Sequence, residues 1–174
     1  MDDVDRLLAK IAAKGSWYGG GSAAALCCAL AATLIEKLAR QPRLAAELGA
    51  IRRRGLGLID HDAETFARVI RSLSRPPRQV HSAGRGRNRP ASRRALKAAI
   101  DVPRQVFRDA RRLLVLSRTV RRAISPRYRV DLDCAVAIAK AAGASDRALV
   151  MTNLVWLADP AYSRRIRKQI ARLT

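Results

Sequence analysis

Aromatic side chains are scarce in this chain, at 4% of 174 residues, and Ala and Leu supply most of its 49% hydrophobic content. A core built from small and aliphatic side chains favours close-packed helices over sheets. Cysteine is equally sparse. Cys27, Cys28 and Cys134 make an odd number with an adjacent pair, which excludes a disulfide framework. No Cys/His spacing suggests zinc, so no metal site is expected. Long apolar runs are missing too: Ser22 to Ile35 is apolar but meets Glu36-Lys37, too short to span a bilayer. The opening Met1-Asp2-Asp3-Val4-Asp5 is acidic and unlike a secretory leader. These features point to a reducing, cytoplasmic setting without a membrane.

Acidic residues are the last shortage, 14 against 35 Lys and Arg, for a formal charge of +21. The excess is local. From Arg68 to Arg129 there are 19 basic residues and two acids, Asp101 and Asp109, a net of +17. A segment so charged attracts nucleic acid or another polyanion, or else is a solvated face without a dedicated partner. At its heart lies Gly84-Arg85-Gly86-Arg87-Asn88-Arg89-Pro90. Arg85, Arg87 and Arg89 suit phosphate contacts, and the absence of interleaved aromatics implies backbone binding with little base discrimination.

What is abundant is helical pattern. Val4, Leu7, Leu8 and Ile11 recur at three- and four-residue spacing within 3–13. A second helix, 22–39, is apolar nearly all round and belongs at the centre of a bundle. Pro42 opens a third, which Pro76-Pro77 ends. A loop over 76–90 follows, then a helix from Ser92 that Pro103 interrupts. Ser125-Pro126 marks a break. Asp131 begins a helix to about Ala142, and after Gly143 the run from Ser145 to Leu157 reads as a separate segment, helix or strand by composition and helix by length and context. Asp159-Pro160 starts a short basic terminal helix. The expected architecture is an all-α helical bundle forming one domain over 1–174, in an oligomer that hides part of the apolar helix.

The junction Tyr18-Gly19-Gly20-Gly21-Ser22 runs straight into that apolar helix. With Ser22 as its cap, such a junction offers bare backbone N–H groups to a phosphate, carboxylate or developing anion. The glycines equally suit two helices crossing closely. Further on, Asp60 and Glu64 share a helix face, Asp62 points elsewhere, and His61 lies between the two aspartates. Each acid reads as an acid/base group or as an ion-pair partner. Asn153 sits in an apolar run, so its amide requires partners.

The succession Gly19-Gly20-Gly21-Ser22-Ala23-Ala24-Ala25, then 58–66 (LIDHDAETF), Ala98-Ala99-Ile100-Asp101-Val102-Pro103, Val130-Asp131-Leu132-Asp133-Cys134-Ala135 and Thr152-Asn153-Leu154 resembles the formiminotransferase-cyclodeaminase C-terminal family. This group includes methenyltetrahydrofolate cyclohydrolases of one-carbon metabolism. The resemblance implies a dimeric all-helical subunit with a folate site in a cleft near the subunit contact. It implies closure of 5-formiminotetrahydrofolate to the methenyl compound with loss of ammonia, or interconversion of methenyl- and 10-formyltetrahydrofolate. The tetrahydrofolate derivative is then the substrate, with no further cofactor. On this reading Asp131 and Asp60 are catalytic, while Gly19, Gly20, Gly21, Ser22 and Asn153 hold substrate. The chain departs from the family pattern at Tyr18, where proline is usual, at Val130 for serine, over Ser125–Arg129 in place of an asparagine-rich approach, and at Leu149 for asparagine. These departures keep a second function in view: an inactive helical dimer serving as a basic binding module for nucleic acid or another polyanion.

Overall fold

The computed structural model describes residues 3–74 and 90–173, which form six α-helices and one 3-10 turn: α1 Asp3–Ala12, α2 Gly20–Leu38, α3 Pro42–Ser74, α4 Pro90–Ala123, the turn Pro126–Tyr128, α5 Arg129–Leu157 and α6 Pro160–Ala171. The architecture is the all-α bundle that the sequence predicts. The arginine-bearing segment with Arg85, Arg87 and Arg89 lies outside the described residues.

The near-uniform apolarity of α2 places it at the centre, packed on α3, α4 and α5. Ala25, Ala31, Ala32 and Ile35 are completely buried there, with Leu48 and Ile51 of α3, Leu113 of α4, and Leu132, Ala135 and Ala139 of α5. The α2–α3 crossing is close because Gly55 has no side chain. A Cβ on it would stand 3.1 Å from the Ala29 Cβ and 3.3 Å from the Ala25 carbonyl oxygen. A second cluster joins Val69, Leu96, Ile100, Phe107, Val150, Leu154, Ile166 and Ile170, tying α6 to α3, α4 and α5. Arg54 of α3 grips the buried Asp109 of α4 through two bonds of 2.7 Å, a bidentate pair that fixes the register of those helices.

Helix boundaries correct the sequence reading at four points. First, α4 runs unbroken through Pro103. Proline removes the N–H that would bond the carbonyl four residues back, that of Ala99. Asn153 of α5 supplies the replacement, its Nδ2 donating to Ala99 O at 2.8 Å. Second, α5 is continuous through Gly143, which lies against α4 with its Cβ position 3.4 Å from the Ala110 Cβ. Third, Ser22 is the third residue of α2, not its cap; Gly19 stands at the cap and offers no side chain. Fourth, Asp131 is inside the first turn of α5, whose cap position is Tyr128. The start of α6 is as expected: Asp159 caps it by accepting the Tyr162 N–H at 3.0 Å.

Candidate functional site

An α-helix opening on glycines has no side chain of its own to satisfy its first N–H groups. In α2 a carboxylate from another helix comes up to that turn. Asp62 of α3 reaches the first turn and accepts the Ser22 hydroxyl at 3.1 Å, with its carboxylate facing the start of the helix. The same hydroxyl lies 2.9 Å from the Ile59 carbonyl oxygen. A side chain at position 21 would overlap the Asp62 carboxylate and push it from its place, so glycine there lets the carboxylate reach the helix start. Gly19 and Gly20 differ: both are exposed with open space where a Cβ would stand. The triple glycine therefore divides into one residue that admits an internal carboxylate and two that face outward.

Behind Asp62 lies Asp146 of α5, fully buried, with neither carboxylate oxygen meeting a hydrogen-bond donor. Burial, aided by the charge of Asp62, pushes its carboxyl up to about 8. Burial also raises Asp62, against the lowering effect of its Ser22 hydrogen bonds. Both acids act on this end of the bundle, and near neutrality Asp146 holds its proton. Sequence reasoning missed Asp146 because Ser145-Asp146-Arg147 looks like a polar break after glycine. The signal was periodicity: Asp146 continues the stripe Ala135, Ala139, Ala142, then Val150 and Leu154, which faces inward throughout α5.

In front of the glycine turn a cavity of about 420 Å³ opens between the segment leading into α2 and the middle of α3. Trp17, Tyr18, Asp60, Glu64, Lys10 and Arg71 give it chemistry. The Tyr18 hydroxyl donates to Asp60 Oδ1 at 2.7 Å, and this bond to an anionic partner raises the phenol above its ordinary range. Trp17 meets Phe66 edge to face at 6.2 Å between ring centres, and Lys10 stands 5.2 Å over the Tyr18 ring. One wall is thus aromatic, another carboxylate, and two cations stand at the edge. Glu64 is turned to Arg68 at 3.3 Å, and His61 is exposed. Among the described residues no three His, Cys, Asp or Glu side chains gather into a metal-ligand set.

The remaining predicted residues lie elsewhere in the subunit. Asp131 pairs with Lys37 at 3.6 Å, beside the far end of α2. Lys37 is 14 residues from Ala23, about 21 Å along the helix. Asn153 is spent on the Ala99 carbonyl. Within one subunit, then, Gly19, Gly20, Gly21, Ser22 and Asp60 come together, while Asp131 and Asn153 do not join them. Of the cysteines, Cys28 is buried and its thiol pushed up to about 12, chiefly by burial, while Cys134 is exposed.

No curated protein matches the sequence. Among solved structures, the formiminotetrahydrofolate cyclodeaminase of Thermotoga maritima superposes with a TM-score of 0.80 at 18% identity, covering 99% of this chain and 88% of that one. That likeness establishes the fold. The family model for formiminotransferase-cyclodeaminase matches residues 3–172. With a match that spans nearly its whole length, the chain belongs to the formiminotransferase-cyclodeaminase family.

Proposed function

We propose that the protein is a folate one-carbon enzyme acting as a formimidoyltetrahydrofolate cyclodeaminase or a methenyltetrahydrofolate cyclohydrolase. The observation that carries this reading is the cavity in which Tyr18, the residue preceding the glycines, is hydrogen-bonded to Asp60. A pterin is a flat bicycle with adjacent N–H donors. The Trp17 ring offers it an apolar face, and the Asp60 carboxylate accepts its donors. Lys10 and Arg71 at the edge suit the carboxylates of a glutamyl tail. The tetrahydrofolate derivative is the substrate, and the chemistry draws on no further cofactor.

In cyclodeamination, N10 attacks the carbon of the protonated formimino group. The resulting tetrahedral carbon carries N5, N10 and an amino group. One proton must pass from N10 to that amino nitrogen before ammonia departs and the methenyl cation forms. A single carboxylate performs both halves of this transfer. Asp60, oriented by Tyr18, fills that role, and its negative charge favours the cationic product.

The proposal extends to assembly. The outer face of α2 between α3 and α5 is apolar, with Leu30 49% exposed and Leu26 and Leu34 partly so; Leu56 of α3 is 47% exposed. Amphipathic α1 contributes no buried residue and leaves Val4 and Leu8 exposed. A two-fold axis at Leu30, pairing α2 antiparallel with its copy, sets Leu26 against the partner's Leu34. It also carries the partner's Lys37 and Asp131 to the glycine turn of the first subunit. Asp131 is then a residue of the site contributed across the dimer.

Purified protein should hasten the loss of methenyltetrahydrofolate absorbance, or release ammonia from the formimino compound. Asp60→Asn should abolish the gain. No rate above buffer in either assay rejects the enzyme reading.

A further inference from the structure

On α4, Arg104, Arg108, Arg111, Val115, Arg118 and Arg122 recur at alternating spacings of four and three and so lie along one face. Arg108, Val115, Arg118 and Arg122 are exposed, and Arg104 and Arg111 half-buried. Beside this ridge runs α5, and between them lies a groove of about 210 Å³. Arg111 rises on the α4 side and Lys140 and Arg147 on the α5 side, over a floor of Phe107, Leu114 and Gly143.

The acids near this face are already engaged. Asp101 holds Arg104 at 2.9 Å, Glu47 holds Arg112 at 2.6 Å, Asp133 pairs with Arg121, and Asp109 is turned inward to Arg54. Arg108, Arg118, Arg122, Lys140 and Arg147 have no acidic partner among the described residues. From Arg108 to Arg122 the ridge spans about 21 Å, enough to run past several phosphates of one strand. The groove is concave and has cations on both rims, which suits a linear polyanion. Its apolar floor lies beneath the guanidinium groups, with no aromatic ring at the rim to enter lipid or stack on a base.

We propose that this basic face, the α4 ridge together with the α4–α5 groove beside it, binds the sugar–phosphate backbone of a nucleic acid, holding phosphates without reading bases. It shares no residue with the cavity before the glycine turn, so it stands or falls independently of the folate reading.

The experiment is fluorescence anisotropy of the full chain with labelled 20-mer DNA and RNA, duplex and single-stranded, between 50 and 200 mM KCl. Binding should weaken by about tenfold or more over that range, as release of several counterions demands. The groove variant combines Arg108→Glu, Arg118→Glu, Lys140→Glu and Arg147→Glu. The control combines Arg164→Glu, Arg167→Glu, Lys168→Glu and Arg172→Glu, an equal change of charge at the C-terminal end. The groove variant should lose at least about tenfold more affinity than the control. Circular dichroism checks folding; if the groove variant misfolds, Lys140→Gln with Arg147→Gln should reduce the salt slope by about two. Equal losses in groove and control variants, an unchanged salt slope, or absence of binding at 50 mM KCl overturns the proposal. So does binding to phosphatidylglycerol vesicles without binding to any of the nucleic acids.

Discussion

Asn153 shows how a side chain's task depends on a residue 50 positions away. Pro103 cannot donate to the Ala99 carbonyl, and Asn153 does so instead. Asn153→Ala should therefore cost about 1–3 kcal/mol by leaving that carbonyl unpaired. In a Pro103→Ala background the backbone N–H returns, and the same substitution should cost under about 1 kcal/mol. Urea unfolding of the four proteins measures the coupling, and equal costs in both backgrounds would refute it. Asp146 makes a different prediction. Its folded carboxyl keeps a proton up to about pH 8, whereas the unfolded chain releases it near 3.8. Stability is then highest at low pH, as far as this group is concerned, and falls as pH rises through that interval. Asp62 titrates in the same sense. Asp146→Asn should flatten the decline in urea midpoint between pH 5 and pH 8, and a slope equal to that of the wild type would contradict the assignment.

At the scale of elements, the start of α2 is held by α3 and not by its own sequence. Asp62 receives the Ser22 hydroxyl, and Gly21 leaves room for the carboxylate. Gly21→Ala must displace Asp62, with an expected loss of about 2 kcal/mol. Gly20→Ala, with open space around it, should cost under about 1 kcal/mol. Thermal unfolding of the pair separates a packing constraint from a general demand for glycine. Similar losses at both positions would favour the latter. The long helices α4 and α5 follow the same logic. Each passes through a residue that normally interrupts a helix, because the neighbouring helix supplies what that residue lacks: a donor opposite Pro103, and a close apolar surface opposite Gly143.

For the whole molecule, the test of the proposed assembly is complementation. Asp60→Asn and Asp131→Asn chains should each be inactive alone. Mixed and refolded together, they should regain about a quarter of wild-type activity, because half the dimers carry one site with both aspartates intact. No recovery would place each site within a single chain. Leu30→Glu should shift the protein to a monomer in sedimentation, since it buries charge at the two-fold axis.

Local pattern reached far in this chain. Apolar spacing and proline breaks placed the helical regions but divided α4 at Pro103 and α5 at Gly143, because burial of one stripe is a property of consecutive side chains whereas help from a neighbouring helix is not. The glycine turn, the acids around His61 and the signatures from Gly19 to Leu154 identified the family before any coordinate. What the sequence left undecided was contact between distant segments. That Asp62 meets the start of α2, that Asn153 serves Ala99, and that Asp146 lies in the core depend on which helices become neighbours. Spacing along a chain specifies a face; only packing specifies what that face meets.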